Sequence, residues 1–174
     1  MQVDHVAGVH DAIAHLVGLG RLHIGLVASA QLPGAPRHLA FRSRLDELGL
    51  HRDAHSEVEA PETFHGGEEA VGRLLAAYPD LDAVLVYNDV MAASVLKGLS
   101  RRGIAVPSQV AVIGADGLGI GEVVTPELTT LDIDKGAFAR HAMEAVDAIM
   151  TSGVEAARAA GRSVPLVLKV RESA

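Results

Sequence analysis

The sequence contains no cysteine, and phenylalanine and tyrosine together supply only 3% of its residues. Without cysteine there is no disulfide framework, no thiolate zinc site and no thiol nucleophile. The shortage of aromatics bears on ligand chemistry, because sugars and bases are commonly held against an aromatic plate. Positive charge is scarce as well: 15 Lys and Arg stand against 22 Asp and Glu, a formal net charge of −7. A surface that follows a phosphate backbone needs a basic patch, so this segment is not expected to hold nucleic acid itself. No run of about 18 apolar residues exists for a membrane span. The opening Met1-Gln2-Val3-Asp4-His5 lacks the basic-then-apolar pattern of a secretory signal, and a cytoplasmic location is the expectation.

What is present is a chain of 174 residues, 49% of them hydrophobic, enough for one domain with a sizeable core. Helix and strand patterns alternate along it. A helical stripe of Val6, Val9, Ile13, Leu16 and Val17 runs over 5–19 and stops at Gly18 and Gly20. Ile24 to Ala28 reads as a buried strand. A Pro- and Gly-containing loop and a helix over 37–48 follow it. A weak strand near Val58, a helix over 67–78, a strand over 83–87 and a helix from Asp89 to Arg102 come next. Strands are expected over 110–114, 129–133 and 164–170, with a helix over 137–150; 152–162 reads as helix or loop. Strand and helix in alternation with short connections predict an α/β fold, a parallel sheet with helices on both faces. Such folds normally begin on a strand, and this sequence opens on a helix, which suggests a piece of something longer.

Two strands end in polar residues, Tyr87-Asn88-Asp89 and Ala115-Asp116. The carboxyl edge of an open α/β sheet is where small polar ligands bind. Asn88 offers a donor and an acceptor suited to vicinal hydroxyls, while Asp89 fits an N-cap. Asp116 offers an acceptor-only carboxylate, or an Asx turn. Arg37, at a helix start, presents a planar fork of donors or is simply solvated. Tyr87 and Phe64 are the candidate aromatic plates, and both also suit core or surface. Nine histidines raise a metal reading, but only His51 and His55 have helical i, i+4 spacing, and the H-E-x-x-H glutamate is lacking. Gly114 to Gly121 is not followed by the Lys-Ser/Thr of a phosphate loop, and no G-x-S-x-G elbow occurs. No metal, cofactor or catalytic residue is expected, and the chain reads as a sensor and not an enzyme.

An ordered set of motifs resembles the lactose/galactose-repressor (LacI/GalR) family of bacterial regulators. These are His15-Leu16 with Leu19-Gly20 and Ile24-Gly25, Arg37 to Phe41 with Leu45 and Gly49, and Gly67 to Ala70 with Leu74-Leu75. Tyr87 to Ala92, Val106 to Asp116, Pro126 to Thr130 and Val170 to Ser173 complete it. The resemblance implies a two-lobed, periplasmic-binding-protein-like effector domain behind a DNA-binding head. This chain would lack that head and most of the first lobe. Residues 1–19 would be a leftover first-lobe helix and 20–131 the second lobe. Residues 132–162 would be a first-lobe segment and 163–174 the closing strand of the second lobe. The family places ligand contacts at Arg37, Asn88 and Asp116, and an aspartate near the lobe junction at Asp4. Its usual aromatic position is Glu62 here. The implied function is effector sensing, with a sugar or nucleobase-like ligand, by a DNA-binding transcriptional regulator acting as a homodimer. A sugar-binding transport receptor of the same fold is the alternative.

Overall fold

Odd and even residues of the same strands enter two different cores, so the sheet is covered on both sides. The computed structural model describes residues 2–50, 55–155 and 163–174. Strands are β1 (Gln2–Asp4), β2 (Ile24–Ser29), β3 (Glu57–Ala60), β4 (Ala83–Val86), β5 (Ala111–Asp116), β6 (Thr129–Ile133) and β7 (Ser163–Lys169). Helices are α1 (His5–Gly18), α2 (Pro36–Glu47), α3 (Phe64–Ala77), α4 (Asp89–Ser100) and α5 (Lys135–Ser152), with a 3-10 turn at Gly119–Glu122. The strand order is β1-β7-β6-β5-β4-β2-β3, and every neighbouring pair is parallel except β6 with β7.

On one face Leu26, Ala28, Ala83, Leu85, Ala111 and Ile113 pack with α1 and α2. On the other, Val27, Val84, Val86 and Val112 pack with α3 and α4. The period of two is what a pleated strand imposes, and burial on both faces is why these strands read as continuous apolar runs. The fold class expected from the sequence is therefore the one observed.

Three expectations change. A strand does precede the first helix: β1 pairs in parallel with the start of β7 through Gln2, Val3 and Asp4. Its three residues are too few to show a period in sequence. Nor does α1 stand apart from the sheet: Val9, Ala12, Ile13 and Leu16 are fully buried in the same core as β2, α2 and β5. And the cap of α4 is Asn88, whose Oδ1 accepts the Met91 N–H at 2.9 Å, not Asp89.

By contrast, no side chain of α5 is buried, and Met143, Val146, Ile149 and Met150 stand exposed along it. Such a stripe on a soluble helix marks a surface made to be covered. The end of the 152–162 stretch, residues 156–162, lies outside the described residues, as does His51.

Candidate functional site

Because β2 to β6 run in parallel, their carboxyl ends lie along one edge, and the loops beyond them deliver the polar groups. Ser29 ends β2, Glu62 follows β3, Tyr87 and Asn88 follow β4, and Asp116 ends β5. Arg37 reaches this edge from the first turn of α2, where Pro36 at the first helical position is pre-set for the helix and has no N–H to leave unsatisfied.

Arg37 is the hub. Its Nη2 donates to Asp116 Oδ1 at 2.7 Å, its Nη1 to the Tyr87 carbonyl at 2.6 Å and its Nε to His5 Nδ1 at 3.3 Å. The guanidinium also lies over the Tyr87 ring, 5.2 Å from its centre. With its side chain only 12% exposed, Arg37 has its charge met chiefly by Asp116. Asp116 sits at φ 103°, a left-handed backbone that non-glycine residues seldom adopt. Strain of this kind persists only where the surroundings enforce it, commonly at binding sites. Here Lys135 enforces it, donating from Nζ to the carbonyls of Asp116 and Gly117 and to Asp132 Oδ1, each at 2.9 Å.

Behind this row lies Asp89, fully buried, accepting the Leu118 N–H and the Thr130 hydroxyl, both at 2.6 Å. Burial pushes its carboxyl above the usual range, and the Thr130 and Leu118 hydrogen bonds offset part of that rise. Gly114 has no side chain to occupy that space; a Cβ there would overlap the Asp89 carboxylate. The second sector of the edge is a chain of hydrogen bonds. Ser29 Oγ donates to Glu62 Oε1 at 2.5 Å, and Asn88 Nδ2 donates to Glu62 Oε2 at 3.3 Å.

Of the residues singled out from sequence, the fold thus brings together Arg37, Tyr87 and Asp116, with Asn88 next in the chain. Asp4 caps α1, accepting the Ala7 N–H at 3.0 Å; its neighbour His5, and not Asp4, touches Arg37. Phe64 is 55% exposed at the start of α3 and lines a different recess with His65, Lys97 and Val124. A small space behind Arg37, lined by Val9, Leu26, Leu85 and Leu131 among others, is about 10 Å³. That is about the room needed for one water molecule. This edge is an open row of polar groups and not an enclosed pocket. Sequence reading missed His5, Ser29 and Lys135; only Ser29, polar at the end of a buried strand, carried a readable sign. Among the described residues no group of three or more His, Cys, Asp or Glu could hold a metal ion.

His5 gives a pH prediction. Burial, and then the Arg37 charge, hold its imidazole below the ordinary 6.5. The unfolded chain therefore takes up the proton first as the pH falls. The stabilisation from the neutral His5–Arg37 contact is complete above about 6.5 and declines as the pH drops through and below it. Denaturation midpoints of wild type and His5→Asn, measured from pH 8 to pH 5, should converge toward acid.

Residues 13–174 match the periplasmic binding protein-like domain family. Among curated relatives, the transcriptional regulator GalS of Salmonella typhimurium is 33% identical over 144 residues, covering 82% of this chain and 42% of that protein. The regulator DegA of Bacillus subtilis is 28% identical over 163 residues, covering 92% and 44%. A solved structure of a LacI family regulator from Arthrobacter sp. FB24, in complex with lactose, superposes with a TM-score of 0.89 at 35% identity. It covers 98% of this chain and 63% of that one. The CelR–cellobiose complex superposes at 0.85 with 25% identity, covering 99% and 53%. This chain spans less than half the length of the two curated relatives. With this fold, these motifs in this order and these likenesses, the chain belongs to the periplasmic-binding-protein-like family and is a LacI/GalR-type effector-domain portion.

Proposed function

We propose that this chain is the effector-sensing part of a LacI-type transcriptional regulator, and that the Arg37–Tyr87–Asn88–Asp116 edge is the second lobe's share of a sugar site. The observation that carries this reading is the 2.7 Å pair between Arg37 and Asp116, which are 79 residues apart, on the carboxyl edge of a parallel sheet. Two relatives of the same fold are crystallised with disaccharides, lactose and cellobiose, which supports a sugar as ligand. The body from α1 through β6, with β7, forms the second lobe, and α5 belongs to a first lobe that covers its exposed apolar stripe. The whole protein acts in the cytoplasm as a homodimer, reaches DNA through a separate head and catalyses no reaction. In support, among the described residues no helix is long and apolar enough to cross a membrane. The relatives named above are regulators, which favours this reading over a transport receptor.

In this mechanism the effector binds one arrangement of the two lobes better than the other, and that difference in affinity shifts the population and the spacing of the DNA heads. The test is thermal shift and calorimetry of the full-length protein against a sugar panel. Arg37→Ala and Asp116→Ala should each weaken binding on the order of a hundredfold, since truncating one partner of a shielded charge pair leaves the other unpaired. Ligand-induced stabilisation that persists in both variants would reject the assignment.

A further inference from the structure

The residues nearest Glu62 leave a charge unanswered at the site edge. Its carboxylate accepts the Ser29 hydroxyl at 2.5 Å and the Asn88 amide at 3.3 Å, both from neutral donors held on buried residues. Among the described residues no lysine, arginine or histidine pairs with it. The cations of this edge are already engaged. Arg37 is met by Asp116, and Lys135 and Lys169 converge on Asp132. Three cations, Arg37, Lys135 and Lys169, face four carboxylates, Asp4, Glu62, Asp116 and Asp132. The hydrogen-bonding balance has the same sign. A carboxylate has about four acceptor positions and Glu62 uses two, while Asp116 has its second oxygen left over. Asn88 has its acceptor committed to the α4 cap and one amide hydrogen left.

We propose, resting on the sugar-site reading above, that Glu62 is a ligand-contacting residue that sets the effector class. It takes donor-rich neutral sugars or amino sugars and rejects phosphorylated or carboxylated ones. A neutral sugar brings hydroxyl hydrogens to the free acceptor positions of Glu62 and Asp116. An amino sugar adds a cation that answers the unpaired charge directly. A phosphate or uronate brings more acceptors and more negative charge to a wall that already has both in excess, with a like-charge penalty that grows as water is excluded.

The experiment titrates the full-length protein calorimetrically with galactose, galactosamine and galactose 6-phosphate, the matching glucose series, lactose and cellobiose. Wild type and Glu62→Gln are run side by side. Glutamine can turn its carbonyl to the Asn88 amide and its amide to the Ser29 hydroxyl oxygen, so the variant should melt with wild type. The expected result is that wild type binds at least one neutral or amino sugar and discriminates against its 6-phosphate by on the order of tenfold or more. Glu62→Gln should weaken that sugar on the order of tenfold and narrow the gap to the phosphate. Preference of wild type for a phosphorylated sugar, or affinities in Glu62→Gln that match wild type, overturns the role of Glu62 and leaves the sugar site standing. Failure of wild type to bind any member of the panel overturns the sugar reading and this proposal with it.

Discussion

Phe41→Ala should remove about 3–5 kcal/mol of folding stability, the usual range for deleting a fully buried phenyl ring. Few rings are available to this fold, and Phe64 and Phe138 are exposed. Phe41 is fully buried in the core that α1 and α2 form on the sheet, with Val9, Ile13, Leu26, Leu45 and Ile113 in the same cluster. Aliphatic side chains fixed to α1, α2 and several strands cannot close a hole of that size without moving whole elements, so most of the cavity term should persist. Domains are commonly stable by only about 5–15 kcal/mol, so the loss would leave little in reserve. Urea denaturation followed by circular dichroism measures it directly. A midpoint within error of wild type would mean that this core rearranges in a way its packing does not suggest.

Gly117→Ala should damage stability and ligand binding together. Gly117 has φ +61°, a conformation that costs a residue with a Cβ about 1–2 kcal/mol. The added methyl would also overlap the Asp132 carboxylate, which is itself held in place by Lys135 at 2.9 Å and Lys169 at 2.5 Å. Burial would raise the Asp132 carboxyl, but its bonds to Lys169 and Lys135 outweigh this and hold it below the usual range. Displacing it breaks both bonds and frees the turn that carries Asp116. We expect a loss of about 2–4 kcal/mol, the strain of the backbone plus the cost of overpacking. The full-length variant should also bind the sugar proposed as its effector more weakly, even at temperatures where it remains folded. Equal ligand affinity in wild type and variant would show that the turn does not set the position of Asp116.

Much of this could be read from the sequence because local chemistry and fold agreed. The runs at 24–28, 83–86 and 110–114 are buried on both faces, as the strands of a covered parallel sheet are. Arg37 and Asp116 were singled out together mainly through the family resemblance, because a helix-start arginine also suits solvent and a strand-end aspartate also suits an Asx turn. Asn88 and Asp89 were harder, since either residue type caps a helix well. The decision lay 25 residues away, at Gly114, whose missing side chain leaves space for the Asp89 carboxylate and so leaves the cap to Asn88. His5, Ser29 and Glu62 gain their roles from neighbours 26 to 33 residues distant, and no local pattern reports such pairings. For β1, three residues carry too little pattern to be heard.

Lys135 is the first residue of α5 and also the group that grips the carbonyls of Asp116 and Gly117. A single ammonium thus rivets the root of an otherwise bare rod to the turn beneath the Arg37–Asp116 edge. Swinging the rod strains that rivet, and tightening the turn around a guest steadies the rod. Whatever body comes to rest along α5 would feel occupancy of that edge as leverage, and would bias occupancy by the same amount in return.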